Sequence, residues 1–289
     1  MKKTARKPLQ NRALAESAPI GVFDSGVGGL TVLRALSAAL PAENFVYLGD
    51  TARLPYGTKS AESIRRYSYQ AAATLQGRGV KCLVVACNTA SAVAIDVLTD
   101  EFAPVPVLGV LEPGAAAACR ATRSARIAVI ATESTVRGGA YQAAIASRLP
   151  NAVVAARACP LFVALAEEGW TDGPIVDAIA HRYLDDLFVA GEELEHPDTL
   201  VLGCTHFPVL SGSIRRVVGP RTTVVDSAET TAEALALTLT AAQIAAPSAQ
   251  RGTIELLATD GAERFARIGS TFLGRALAAS AVEIVDLQN

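Results

Sequence analysis

The chain has 289 residues, 51% of them hydrophobic, and 26 basic against 28 acidic side chains leave a formal charge of −2. That length suits one large domain or two of ordinary size with substantial cores, and near-neutrality makes no general case for a nucleic-acid or membrane partner. No apolar run reaches the length of a membrane span, and five cysteines without a CxxC pair point to free thiols in a reducing cytoplasm, with no spacing for structural zinc.

From the N-terminus, residues 1–19 open with a basic stretch (Lys2, Lys3, Arg6, Lys7, Arg12) that lacks the apolar core of a secretory signal. It reads as a disordered, solvated tail rather than a nucleic-acid arm. Strand-like runs then alternate with Ala/Leu-rich helical stretches. Strands are expected at 20–24, 44–49, 81–86, 105–110, 126–131, 152–156, 199–203, 222–226, 253–258 and 281–285. Helices are expected at about 28–40, 60–78, 89–102, 113–122, 134–148, 160–168, 174–190, 209–218, 228–243 and 261–270. Such alternation predicts an α/β chain with parallel sheets covered by helices, and fully apolar runs such as "KCLVVA" suit buried central strands. The Pro/Gly-rich "APVPVLGVLEPG" (103–114) reads as a crossing between domains, with a second crossing around 209–226.

Chemistry gathers at strand ends. "GVFDSGVGGLTV" (21–32) runs from a strand through an acidic residue and a glycine loop into a helix. Thr31 stands where a dinucleotide fingerprint needs its third glycine, and no Walker lysine follows. What remains is a tight turn able to present amides to an anion, with Asp24 and Ser25 at the strand's carboxyl end. "GDTARLPYGTKS" (49–60) adds Tyr56 and Gly57 in a turn, offering a hydroxyl and free amides to a polar substrate.

Two cysteines share a setting. "VVACNTAS" (84–91) and "VLGCTHFP" (201–208) are apolar runs ending in Cys87 and Cys204, followed by Asn88 and Thr89 in one case and Thr205 and His206 in the other. Both fall just beyond a strand's carboxyl end, where open parallel sheets bind ligands. A following helix would favour thiolate and depress the cysteine pKa below its usual ~8.5. Cys82, Cys119 and Cys159 read as ordinary small hydrophobes.

Three chemistries fit two thiols: a redox dithiol, a Cys204–His206 hydrolase that would ignore Cys87, and proton transfer at a stereocentre. Inversion at carbon needs a base on one face and an acid on the other, and a matched pair of thiols suits that need best. His206 could serve Cys204, and Asp24 could serve Cys87. A pyridoxal cofactor is poorly supported, because the lysines are confined to Lys2, Lys3, Lys7, Lys59 and Lys81. A non-catalytic amino-acid-binding module is the remaining alternative.

Taken together, "FDSGVGGLTV", "YLGDTARLPYG", "ACNTAS", "GVLEPG", "LVLGCTHFP", "ACPLFVALAEEG" and "VDSAET" resemble the cofactor-independent glutamate racemases, in motif order and over about residues 20–285. The resemblance implies that Cys87 and Cys204 serve opposite faces of the α-carbon, with Asp24 and His206 as auxiliary groups and Glu167 in support. It assigns substrate binding to Asp24, Ser25, Tyr56, Gly57, Asn88, Thr89, Thr205 and His206. It implies two α/β domains related by a pseudo-twofold axis with the site in the cleft between them. One domain joins 20–113 to 227–289 and the other holds 114–226. It further implies glutamate as substrate, D-glutamate for peptidoglycan as product, no cofactor or metal, a homodimer, and a cytoplasmic location. A related aspartate racemase is the nearest alternative.

Overall fold

A computed structural model describes residues 16–188, 196–248 and 251–287. The chain begins β1 (Ile20–Asp24), α1 (Leu30–Ala39), β2 (Phe45–Gly49), α2 (Ala61–Gly77), β3 (Cys82–Val85), α3 (Asn88–Glu101), β4 (Val107–Gly109). It continues with α4 (Leu111–Ala121), β5 (Arg126–Ala131), α5 (Glu133–Gly138), α6 (Ala140–Arg148), β6 (Val153–Ala158), α7 (Pro160–Glu167), α8 (Pro174–Phe188), β7 (Thr199–Gly203), α9 (Ser211–Val218), β8 (Thr223–Asp226). It closes with α10 (Ser227–Ala241), β9 (Ile254–Ala258), α11 (Ala262–Leu273) and β10 (Val282–Ile284).

The strands form two all-parallel sheets, ordered β10-β9-β2-β1-β3-β4 and β6-β5-β7-β8. Within each, the first strand of its segment lies between the second and the third: β2-β1-β3-β4 repeats as β6-β5-β7-β8. Strand order reverses beside β1 in one sheet and beside β5 in the other, which opens a ligand crevice beyond the carboxyl ends at both places. β3 and β7 are equivalent in this repeat. Cys87 and Cys204 each follow the third strand of their own unit.

Burial explains the strand sequences. β1, β3 and β7 are buried along their whole length, as helices on both faces require, and each fully covered Val, Leu or Ile contributes roughly 1.5–3 kcal/mol. Ser60, Thr132 and Asp226 cap α2, α5 and α10 by accepting the backbone N–H of Ser63, Thr135 and Ala228. Pro160 begins α7, where its missing N–H costs nothing. Along α11, Phe265, Ile268 and Phe272 face the core, leaving Arg264 and Arg267 on the outer side.

Each of the ten expected strands is found within two residues at either end. The helix expected over 134–148 is two helices, because Gly139 takes φ = +67° as the C-cap of α5, a conformation that ends an α-helix. The helix expected from 209 begins as a 3₁₀ turn at Phe207–Leu210. The last two residues of the helix expected over 174–190 and most of the tail expected over 1–19 lie outside the described residues. Residues 16–19 sit against the six-stranded sheet: Lys81 Nζ donates to the Glu16 carbonyl and the Lys81 amide to that of Pro19. Among the described residues no helix is long and apolar enough to cross a membrane.

Candidate active site

The carboxyl ends of the two sheets meet, and the expected residues converge there. Cys87 is the N-cap of α3, 5% exposed, with its Sγ 3.7 Å from Ser25 Oγ at the end of β1. Cys204, also 5% exposed, places its Sγ 3.8 Å from His206 Nδ1. The other ring nitrogen, Nε2, lies 3.3 Å from Glu167 Oε1 at the end of α7. Neighbouring Glu168 is exposed and caps that helix.

Electrostatics distinguish the two thiols. Burial, with the nearby negative charges of Asp24 and Cys204, pushes the Cys87 thiol up to about 12 against the opposing Ala90 amide and Ser25 hydroxyl. This overturns the expectation that the helix start would depress it: desolvation of a sulfur closed in by both units exceeds what the helix amides return. Burial thus favours the thiol form of Cys87 over the thiolate. Burial also disfavours charge on His206, but its hydrogen bonds to Cys204 and Glu167 and the charges of Cys204 and Asp24 prevail, lifting it to about 10. A cation therefore stands beside Cys204. Asp24 is fully buried, which raises its carboxyl against the His206 charge and the amides of Gly29, Gly26 and Ser25.

The His206 shift carries a stability prediction. Its folded pKa lies above the ordinary 6.5, so its contribution is full below pH 6.5 and fades as pH rises towards 10. Urea unfolding of the wild type and His206→Asn is expected to show a stability difference that shrinks across that window. A difference that grows would contradict the charged imidazole.

Several contacts cross between the units. Thr31 Oγ1 donates to the Thr205 carbonyl at 3.0 Å, and Tyr141 Oη donates to Asn88 Oδ1 at 2.6 Å. Thr89 of α3 joins Thr132 and Thr135 in a ring of hydroxyls 3.0–3.2 Å apart. Phe272 meets the His206 ring edge-on at 5.2 Å. A cleft of about 310 Å³ opens between the units, walled by Leu54, Pro55, Gly57 and Thr58 on one side and by Thr132, Glu133, Pro160, Val163, Ala164 and Glu167 on the other.

Among the described residues, two buried polar atoms in this region have no hydrogen-bond partner: Asp24 Oδ1, an acceptor, and Asn88 Nδ2, a donor. Tyr56 sits differently from its expected role. Its side chain is fully buried and its hydroxyl donates to Asp50, so this turn presents to the cleft Gly57 rather than a phenol. Cys82 and Cys159 lie fully buried in the cores and Cys119 is half-buried near Ile145, as their ordinary reading requires. Sequence reasoning missed Thr31, Thr132, Thr135, Tyr141 and Arg264. The topological repeat flags Thr132, which follows β5 as Ser25 follows β1; Arg264 carries no such signal.

The chain matches the Asp/Glu/hydantoin racemase family over residues 20–235. It is 49% identical over 255 residues to a glutamate racemase of Geobacter metallireducens, covering 88% of this chain and 92% of that one. It is 45% identical over 289 residues to one of Koribacter versatilis, covering 93% and 97%. Among solved structures it is similar to the Francisella tularensis glutamate racemase in complex with D-glutamate, with a TM-score of 0.85 at 33% identity over 94% of this chain and 98% of that one. It is likewise similar to the Thermus thermophilus enzyme in complex with β-chloro-D-alanine, with a TM-score of 0.83 at 43% identity over the same shares. Sequence, topology and the meeting of the two thiol-bearing strand ends agree: this chain belongs to the Asp/Glu/hydantoin racemase family.

Proposed function

We propose that the chain interconverts L- and D-glutamate by passing protons between the α-carbon and two thiols, Cys87 and Cys204. One observation carries this reading: the thiols follow equivalent strands of the two units, each with its own polar partner, Ser25 for Cys87 and His206 for Cys204. Each has its own auxiliary groups, Asp24 and Ser25 for Cys87, His206 and Glu167 for Cys204.

One cysteine acts as thiolate and takes the α-hydrogen as a proton, becoming a thiol. The electron pair stays on carbon, delocalised towards the α-carboxylate. The other thiol then gives its proton to the opposite face and becomes the thiolate. The site ends in the mirror protonation state, ready for the other enantiomer. Burial favours the acid at Cys87, which suits it to deliver the proton first. These residues supply both acid and base, and the step needs no cofactor.

Substrate recognition follows from the polar groups. Asp24 Oδ1 is a buried acceptor suited to an ammonium, and Asn88 Nδ2 is a buried donor suited to a carboxylate. The hydroxyls of Thr89, Thr132 and Thr135, with the amides of the Tyr56–Gly57 turn, offer donors to a second carboxylate. Ser25, Thr205 and His206 complete the wall. We take the moving bodies as 20–113 with 227–289, and 114–226, which close on glutamate and exclude water. The same reading carries a homodimer in the cytoplasm supplying D-glutamate to peptidoglycan; light scattering that returns the mass of one chain would remove the dimer.

The test is deuterium entry at the α-carbon of each glutamate enantiomer in heavy water without added cofactor, followed by circular dichroism. Loss of optical activity from both enantiomers is expected. Inertness towards glutamate with turnover of aspartate would move the chain to the related activity.

A further inference from the structure

Arg264 lies outside every motif that pointed to the site. It enters through the geometry of α11, whose Phe265, Ile268 and Phe272 anchor it to the six-stranded unit and turn Arg264 outward, half-exposed. From there Nη2 reaches Glu167 Oε2 at 2.9 Å. Glu167 ends α7, which packs on the other unit, and its second oxygen lies 3.3 Å from His206 Nε2. His206 Nδ1 in turn stands 3.8 Å from Cys204 Sγ. Four groups are thus in series, and the first link crosses between the units. That link ties one unit to the other.

We propose that Arg264 is a positioning residue that holds the Glu167 carboxylate on His206, and through it the imidazole on Cys204, when the two units close. The inference rests on the two-thiol reading given above. An exposed ion pair adds little to fold stability, about 0–1 kcal/mol, so stability is a poor account of this contact. Glu167 is different: its side chain is only 14% exposed, and it also lines the cleft. Without Arg264 the carboxylate is free to turn from the imidazole into the cleft. With it, both carboxylate oxygens are occupied and one rotamer is held. Burial pushes the Glu167 carboxyl up, but His206 and Arg264 together hold it below its ordinary range, which agrees with two cationic partners.

The experiment uses the full-length enzyme, with kcat and KM measured for both enantiomers in the wild type, Arg264→Ala, Arg264→Lys, Glu167→Gln and the Arg264→Ala/Glu167→Gln double variant. Arg264→Ala is expected to lower kcat about tenfold, the scale of a lost outer-shell partner, with KM within about twofold and the thermal midpoint unchanged. Arg264→Lys restores most of the loss. On the Glu167→Gln background, Arg264→Ala costs less than about twofold more, because the group it acts through is gone. An undiminished loss on that background, a rise in KM with kcat preserved, or no loss at all in Arg264→Ala would overturn the proposal. A wild type inert on both enantiomers would instead sink the racemase reading, so the two failures are distinguishable.

Discussion

Serine at either Cys87 or Cys204 is expected to lower kcat/KM for both glutamate enantiomers by up to about ten-thousandfold, the top of the range of a lost general acid or base. A hydroxyl is a far weaker acid than a thiol, and its conjugate base is unreachable in so buried a site. The fall must be equal in the two directions. L- and D-glutamate have the same free energy in water, so the ratio of their kcat/KM values is held at unity in every variant. Asymmetry therefore has to be sought in isotope exchange. With Cys204 alone, the enantiomer whose α-hydrogen faces that thiol exchanges with heavy water without inverting; with Cys87 alone, the opposite enantiomer does. Mass spectrometry and a chiral separation read this directly. Wild-type racemisation in either serine variant would end the two-thiol mechanism.

Alanine at Gly28 is expected to have the second largest effect, through distance alone. A Cβ on Gly28 would lie 2.4 Å from His206 Nδ1 and 2.5 Å from Thr205 Oγ1, both on the opposing unit. Ordinary contact requires about 3.4 Å, so roughly 1 Å must be found. Neither partner is a loose chain end: His206 is pinned by Glu167 and by Phe272, and the Thr205 carbonyl is held by Thr31. The easier relief is for the units to stand apart. Displacement of a catalytic group by about 1 Å costs on the order of a hundredfold in rate. Stability should fall less, by about 1–3 kcal/mol, since each unit keeps its own core. Gly28→Ala is thus expected to fold, to melt several degrees below the wild type and to turn over about a hundredfold slower. Unchanged turnover would show that the close approach of Gly28 to the Cys204 loop has no part in catalysis.

Both predictions depend on one feature of the architecture: the proposed catalytic groups are shared between the two units. Thr31 on Thr205, Tyr141 on Asn88 and the Thr89–Thr132–Thr135 hydroxyls all tie the carboxyl end of one sheet to that of the other. These bonds are buried or nearly so, where a lost partner costs about 1–3 kcal/mol, so the contact between the units is well defined.

The amino-acid sequence by itself determined the alternation of elements, the parallel sheets and the place of each cysteine. Those follow from local causes: short continuous apolar runs such as "TLVLG" suit buried strands, and residues just past a parallel strand face the crevice. The placement of Cys87, Cys204, Asp24, Ser25, Asn88, Thr89, Thr205 and His206 at or just beyond strand ends was legible for that reason. Tertiary structure alone decided what depends on groups distant in sequence. Desolvation and Asp24 turned Cys87 into a weak acid where its helix start suggested the reverse. Asp50 took the Tyr56 hydroxyl, and the opposing unit brought in Thr132, Thr135 and Tyr141. Arg264 reaches Glu167 across 97 positions of chain, and nothing in its neighbours along α11 marks that contact. Local patterning specifies how each segment folds, whereas proton affinities and contacts across a cleft are set by whatever the other unit places there.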